Sequence, residues 1–336
     1  MPVSRWLGDL IKTVTREETI DFIVTDPLTI GGSMLKMEPL TPSETYISIK
    51  VKSLRLPFTR KGFTKIHGVV HSFANLPGAG SEAVEFVSAT TPSALSGLDP
   101  KNISNVIVID KQVVGPTPWH GGNLRLQIGL FSVIEQELAG AFLSTMTALS
   151  EKVGVTFIAS ARPFLDVIST GVSALTRQVG SVKLEIGMDK SFTPPVPGTY
   201  ALIAAPVGDL SGAKFDVDPN DGKLKVDGKH YEKQPYLVFT IEAASRQERW
   251  GEIAELRNAY VAIRDSVKGN DQSKAREAMI SFRLLTLTSP DLVEPDAIRL
   301  IDAVNQRLAL AFGSPMVSGK PRSDAMPEFE KLAPFD

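Results

Sequence analysis

The amino-acid sequence predicts an α+β protein: an antiparallel β-sandwich that carries an inserted α-helical hairpin and is followed by a small C-terminal α-helical domain. Apolar and polar residues alternate in many short stretches before residue 244, and turns rich in Gly and Pro separate these stretches. Such alternation is typical of antiparallel strands with one buried face. Between about residues 135 and 178, and again over residues 245–313, apolar residues instead recur every three or four positions, which is the spacing of helices.

The central strand of this prediction is residues 124–133, where leucines and isoleucines alternate with more polar or smaller residues. The pattern predicts one face in the core and one nearer water. Before it, strands are predicted at residues 21–24, 46–56, 65–73, 83–89 and 106–109. After the helical hairpin, strands are predicted at residues 182–186 and 200–205, near Phe215 and Leu224, and at residues 236–241.

Helical spacing predicts the remaining elements. An amphipathic helix over residues 4–17 is expected to dock on the protein's own core, with a membrane-surface anchor as the alternative. Three C-terminal helices are predicted at residues 250–267, 275–285 and 295–308. The predicted domains are therefore residues 1–244, with the hairpin at about 135–178, residues 245–313, and a flexible tail at 314–336 that is rich in proline and charge.

Composition narrows the class of protein. A chain of 336 residues with 43% hydrophobic residues can bury a large core, and its length favours about two domains. The net charge of -2 gives no overall attraction to nucleic acid. With no cysteine, disulfides, thiolate nucleophiles and thiolate metal sites are excluded. The first 18 residues lack the apolar run of a secretory signal, so a cytoplasmic location is expected.

The segment before the central strand is the first candidate binding site. Two prolines and two glycines surround Trp119 and His120, and they predict a stiff, irregular loop. An aromatic side chain held on such a loop loses little conformational entropy on binding, which favours a role as an anchor for a partner. The alternative is that Trp119 folds back and plugs the end of the sandwich.

A basic stretch is the second candidate. No acidic residue occurs between Glu44 and Glu82, so neighbouring strands are predicted to carry a positive patch suited to phosphate-bearing or acidic partners. The alternative is a solvated face whose charges are balanced by acids from elsewhere in the fold. The six basic residues of this patch are Lys50, Lys52, Arg55, Arg60, Lys61 and Lys65.

Oxygen ligands between residues 216 and 227 resemble the start of a calcium loop, but Gly222 is seventh rather than sixth and the last ligand is Asp rather than Glu. The flanking residues alternate like the arms of a hairpin, for which Asn-Asp-Gly is a favourable turn, and the hairpin is the preferred prediction. The possible calcium ligands are Asp216, Asp218, Asn220 and Asp227.

Other motifs give little support to an enzyme. His67 and His71 share a face of one predicted strand, but their spacing separates them too far to chelate one ion without help, and strand histidines of no catalytic role are the preferred interpretation. The Gly-rich segment 78–83 precedes a strand rather than a helix, which disfavours a dinucleotide site.

The sequence thus predicts a non-enzymatic binding or scaffold protein that presents a β-sandwich surface to a protein partner. The alternative is a membrane-active protein that binds anionic lipid through the basic strands and the inserted hairpin. A hydrolase with an undisclosed site is a third hypothesis. No cofactor is expected apart from the weak calcium candidate.

Overall fold

The computed structural model describes residues 8–9, 11–12, 20–34, 37–56, 60–61, 64–79, 83–89, 106–134, 182–206 and 208–312. The chain divides into two compact units. The β-rich unit comprises Met1–Thr41 and Ile47–Ala243, and the helical unit comprises Pro42–Tyr46 and Ala244–Asp336. Most strand pairs are antiparallel and three helices follow them, so the broad α+β class is confirmed.

The strands occupy most of the described part of the β-rich unit. In chain order they are β1 (Ile20–Val24), β2 (Thr29–Ile30), β3 (Tyr46–Arg55), β4 (Arg60–Lys61), β5 (Thr64–Pro77), β6 (Ala83–Ala89), β7 (Val106–Pro118), β8 (Leu124–Ile134), β9 (Val182–Phe192), β10 (Gly198–Pro206), β11 (Phe215–Val217), β12 (Leu224–Val226), β13 (Lys229–His230) and β14 (Tyr236–Ala244).

Within the described residues these strands form three sheets. The first has the order β1-β10-β14-β3-β7, and the second has the order β4-β5-β8-β9, with β6 also paired to β5. The third joins the short strands β13-β12-β11-β2, and its β11–β2 pair is parallel. The predicted central strand is confirmed, because β8 pairs antiparallel with β5 on one side and β9 on the other.

The region before β8 corrects the sequence prediction. Residues 116–118 were expected in an irregular loop, but β7 continues through Pro118 and only residues 119–123 connect it to β8. Proline lacks the N–H of a sheet ladder yet has a φ compatible with extended backbone, so it is tolerated near the end of a strand. The predicted hairpin at about 135–178 lies outside the described residues, as does the predicted tail.

Strand β8 is buried on one face and over part of the other, where Arg125 remains exposed. Its alternate residues Leu124, Leu126, Ile128 and Leu130 are fully buried, as the alternation predicts. The opposite face was expected to be nearer water, but Gln127 is also fully buried and its Nε2 donates to Asp189 Oδ2 at 2.8 Å. A buried amide whose nitrogen donates to a carboxylate is tolerated in a protein interior, which is why this polar position does not mark an exposed face.

One hydrophobic core includes side chains from both five-stranded sheets. Ile47, Ile49 and Val51 of β3 belong to the same cluster as the buried face of β8. A second cluster lies around the short strands and includes Tyr231 and Tyr236. The branched and aromatic side chains of these strands suit the pleated surface of a sheet and bury much apolar area.

The helical unit contains a 3-10 turn (Trp250–Glu252) and the helices α1 (Ala254–Lys268), α2 (Gln272–Thr288) and α3 (Glu294–Phe312). The predicted positions of all three helices are confirmed. Asp271 caps α2 by accepting a hydrogen bond from the Lys274 N–H at 3.0 Å. The rings of Trp250, Tyr260 and Phe282 contact one another at the centre of the unit, with centroids 5.4 to 6.3 Å apart.

Tyr46 forms hydrogen bonds between the segment 42–46 and the rest of the helical unit. Its hydroxyl donates to Asp296 Oδ2 at 3.0 Å and accepts from the Val293 N–H at 3.0 Å. The buried Asp296 carboxylate also accepts from the Gln247 N–H and from Arg299 Nε, at 2.7 and 2.6 Å. Burial and this neighbouring carboxylate raise the pKa of Tyr46 well above its usual range, so the phenol stays a donor.

The predicted N-terminal helix is described at residues 8–9 and 11–12, which are helical. Ile11 lies directly against Gly187 of β9, where an added Cβ would come within 2.5 Å of the Ile11 side chain. Only glycine permits this close approach. None of the helices in the described part of the chain is long and apolar enough to cross a membrane.

Candidate functional site

Trp119 lies in the hydrophobic core. Its side chain is only 2% exposed, and it belongs to the same cluster as β3 and β8. A ring with almost no accessible surface cannot anchor a partner without leaving the core. The structure therefore favours the plug over the anchor. The neighbouring His120 is half-buried, and burial lowers the pKa of its imidazole.

The basic residues of β3 are largely balanced by acids from other strands. Lys50 Nζ lies 2.7 Å from Glu242 of β14, and Lys52 Nζ lies 2.6 Å from Asp110 of β7 and 3.8 Å from Glu242. Two carboxylates thus face two ammonium groups. This arrangement supports the alternative interpretation of a charge-balanced face over that of a free positive patch.

Arg55 differs from the two lysines. It is the last residue of β3 and is 8% exposed, and its Nη1 donates to the Gln234 carbonyl at 3.2 Å. Its Nε is buried without an acceptor. The remaining basic candidates are placed only by their backbone: Arg60 pairs with Lys65 and Lys61 with Thr64 in the β4–β5 ladder. The side chains of Arg60, Lys61 and Lys65 lie outside the described part of the chain.

The possible calcium loop is a β-hairpin, as preferred from the sequence. Strands β11 and β12 pair antiparallel around the turn. Asp216 Oδ1 accepts from the Thr29 hydroxyl at 2.7 Å and from the Gly32 N–H at 3.1 Å, while Asp227 accepts from the Lys214 N–H at 3.0 Å. These carboxylates hold the backbone. Asn220 likewise turns its amide nitrogen, not its oxygen, toward Asp218.

A different set of possible ligands meets on this hairpin. One ligand atom each from Asp218, Asp221 and His230 lie within 4.8 Å of one another. Lys225 Nζ is 2.7 Å from Asp218, and Lys223 Nζ is 2.9 Å from Asp221. The Lys225 ammonium holds the pKa of the Asp218 carboxyl well below its usual range. A cation would have to displace these lysines, so the hairpin is better explained as a local ion-pair network.

Of the two histidines His67 and His71 of strand β5, only the side chain of His71 is described. His71 of β5 is 1% exposed, and burial lowers the pKa of its imidazole to about 4. It is therefore neutral at pH 7, in keeping with a strand histidine in the interior. The side chain of His67 lies outside the described residues.

Helix α2 carries a surface that the sequence prediction missed. Ala275, Met279 and Phe282 are buried on its inner face, as their spacing predicts. On the opposite side, Ile280, Leu284 and Leu287 are 68%, 63% and 49% exposed. We call these three residues the α2 stripe. Their spacing of four and three places them in one row along the helix.

The charges beside the α2 stripe are unequal. Arg276 and Arg283 lie along one edge of the row and Glu277 along the other, by their helical positions. All three are exposed, and none forms an ion pair within the described part of the chain. Lys274, which precedes Arg276 on α2, already forms an ion pair, with its Nζ 3.2 Å from Asp271 Oδ2. Among the described residues, the stripe therefore has two positive charges and one negative charge beside it that form no ion pair.

The sequence contained the signal for this stripe. The buried residues Ala275, Met279 and Phe282 recur every three or four positions. Ile280, Leu284 and Leu287 form a second set with the same spacing on another side of the helix. Comparison of the chain with protein-family models, with curated proteins and with solved structures finds no match.

Proposed function

We propose that the chain is a non-enzymatic binding or scaffold protein, and that the α2 stripe is where it binds a protein partner. One observation carries the proposal: α2 is apolar on two opposite sides, but only one side is buried. A helix that is hydrophobic on both sides is normally covered on both sides. Single exposed leucines are common on protein surfaces, whereas three in one row are typical of a contact surface.

The gain from covering the α2 stripe is substantial. Burying a Leu or Ile side chain completely contributes about 1.5–3 kcal/mol. Three such side chains supply a gross free energy of several kcal/mol, part of which offsets the loss of translational and rotational freedom on association. The stripe is a single row of apolar side chains, which suits a partner helix that packs its own apolar row alongside.

Charge indicates which helix fits. Arg276 and Arg283 are exposed beside the stripe, against the single carboxylate of Glu277. A second copy of this chain would bring two net-positive faces together, which disfavours a homodimer through α2. The occupant we propose is an amphipathic helix of another protein with Asp or Glu beside its apolar row. The proposed contact is on the helical unit, whereas the sequence prediction expected it on the sheet surface.

The packing of the two five-stranded sheets against each other is also a proposal. We infer that the two five-stranded sheets form the predicted β-sandwich, because Ile49 of β3 and Ile128 of β8 share one core cluster. The inserted hairpin remains a prediction from the sequence. The membrane-active alternative gains no support from Lys50 and Lys52, since both are ion-paired.

Two synthetic helical peptides test the proposal. Both carry the same leucine row, flanked by Glu in one and by Lys in the other, and fluorescence anisotropy reports their binding to the full chain. We expect the Glu peptide to bind more tightly. Replacing Ile280, Leu284 and Leu287 together by Ser should weaken it at least about tenfold, equivalent to ~1.4 kcal/mol. The variant Arg276→Glu with Arg283→Glu should reverse the preference between the peptides.

The matched control is Ile298→Ser on α3, which removes a single exposed apolar side chain. It should bind both peptides like the unmodified chain. Equal binding of both peptides to all variants would contradict the proposal. So would sedimentation velocity showing a dimer that the triple Ser variant dissolves, because the α2 stripe would then belong to a second copy.

A further inference from the structure

The guanidinium of Arg55 is a buried positive charge that has no carboxylate beside it among the described residues. In the described part of the chain its one acceptor is the Gln234 carbonyl, 3.2 Å from Nη1, and no acid lies at ion-pair distance. Lys50 and Lys52, on the same strand, each have a carboxylate within 3 Å. Buried charges in proteins are normally paired and hydrogen-bonded, so this one requires a partner.

A second unpaired polar group lies nearby. Tyr231 is 5% exposed, and its buried hydroxyl has no hydrogen-bond partner in the part of the chain that the structure describes. Its ring centroid is 6.4 Å from that of Tyr236, whose hydroxyl accepts from the Leu224 N–H at 3.2 Å. Arg55 is close enough to influence both phenols electrostatically. Of these two buried groups, the Arg55 Nε can only donate a hydrogen bond, and the Tyr231 hydroxyl is able to donate one.

Both phenols keep their protons at neutral pH. Burial raises the pKa of Tyr231 and raises that of Tyr236 to about 12, although the nearby Arg55 acts in the opposite direction. A protonated phenol and an arginine fork together present hydrogen-bond donors and one positive charge. This set of groups is complementary to an oxyanion.

We infer that Arg55 and Tyr231 form a binding site for a carboxylate group of a small ligand. The Nε edge of the guanidinium, with no protein acceptor, is the edge that binds a carboxylate through two parallel hydrogen bonds. In the structure Nε is covered, so the arginine side chain must rotate to bind with both nitrogens. That rotation exchanges a buried, unpaired charge for a paired one.

The surrounding charges select a singly charged ligand. Asp209 acts electrostatically on Tyr231, and Asp221 and Glu232 act on Tyr236. Asp221 is itself paired with Lys223 at 2.9 Å. These acids repel a second negative charge, so a carboxylate is favoured over a phosphate dianion, which carries the same oxygen acceptors.

Thermal unfolding of the full chain in acetate and in inorganic phosphate tests the site. Chloride keeps the ionic strength constant, and no protein partner is present, so the result is independent of the α2 stripe. A ligand that binds only the folded state raises the Tm in proportion to the logarithm of its concentration. We expect acetate to raise the Tm more than phosphate does at the same concentration.

Arg55→Gln should abolish the acetate effect, and Tyr231→Phe, which keeps the arginine, should reduce it. Lys52→Gln is the matched control, because it removes a paired charge from the same strand, and it should leave the effect intact. If Arg55→Gln does not fold, as judged by circular dichroism, the change in Tm of Tyr231→Phe in acetate decides whether the site exists. No rise in Tm in either anion, a larger rise in phosphate than in acetate, or the same rise in Tyr231→Phe would overturn the inference.

Discussion

The β-rich unit and the helical unit differ in what they do with their most prominent side chains. In the β-rich unit Trp119 is in the core, and Lys50 and Lys52 face carboxylates. In the helical unit α2 leaves a row of large apolar side chains in contact with solvent. A residue that is conspicuous in the sequence is therefore often one that already packs or pairs within the fold. A contact surface is better indicated by side chains that the fold leaves without a partner.

The largest effect expected from this difference is on stability. Trp119→Ala should lower the free energy of unfolding by about 3–5 kcal/mol, because it empties a buried aromatic site. Leu284→Ala on the α2 stripe should change it by less than about 0.5 kcal/mol, because an exposed side chain contributes little. Urea denaturation measures both values. A cost below about 1 kcal/mol for Trp119→Ala would mean that the ring is not part of the core.

A smaller effect on the free energy of unfolding is expected when the pH is lowered. Burial lowers the pKa of His71 from its ordinary value of 6.5 to about 4 in the folded protein. The unfolded chain then binds a proton first, so stability is fully present above pH 6.5 and is lost as the pH falls from 6.5 towards 4. The loss reaches about 3 kcal/mol at most.

Urea denaturation between pH 4 and pH 7 measures this loss. His71→Asn should flatten the pH dependence, whereas His120→Asn, at a half-buried position, should change it less. Equal pH dependence in His71→Asn and the unmodified chain would show that His71 is not the group that titrates.

The smallest effect is expected on the charged face of β3. Lys52→Met should change the free energy of unfolding by less than about 1 kcal/mol, because partly exposed ion pairs contribute little. The binding of vesicles that contain anionic lipid should also stay unchanged, since the charge of Lys52 is already balanced. A marked loss of vesicle binding in Lys52→Met would restore the basic strands as a binding surface and weaken the contrast between the units.

The positions of strands and helices could be predicted because they depend on local periodicity. The alternation in β8 and the three-four spacing in α2 are written in consecutive residues. Burial depends instead on residues distant in sequence. Lys50 and Glu242 meet only because β14 pairs with β3, so the charge balance of that face is invisible in the acid-free stretch around Lys50.

The candidate sites were harder to predict for the same reason. Because prolines precede it, Trp119 was predicted on a stiff loop, either as an anchor for a partner or as a plug of the sandwich. Strand β7 extends through Pro118, and the ring belongs to the core cluster. In α2, Met279 and Phe282 account for the buried face, while Leu284, which has the same helical spacing, is exposed. Once one face of a helix satisfies the core, apolar residues on its other face are the informative ones.

Site-specific photocrosslinking in the native host can show whether the α2 stripe contacts a protein partner. A photoreactive phenylalanine analogue at position 284 of α2 is compared with the same analogue at exposed position 258 of α1. We expect a discrete adduct from position 284 alone, mapped by mass spectrometry to an acidic amphipathic helix of another protein, and lost when Arg276 and Arg283 are changed to Glu. The same adducts from both positions, or none specific to position 284, would contradict the claim that the α2 stripe binds a protein partner.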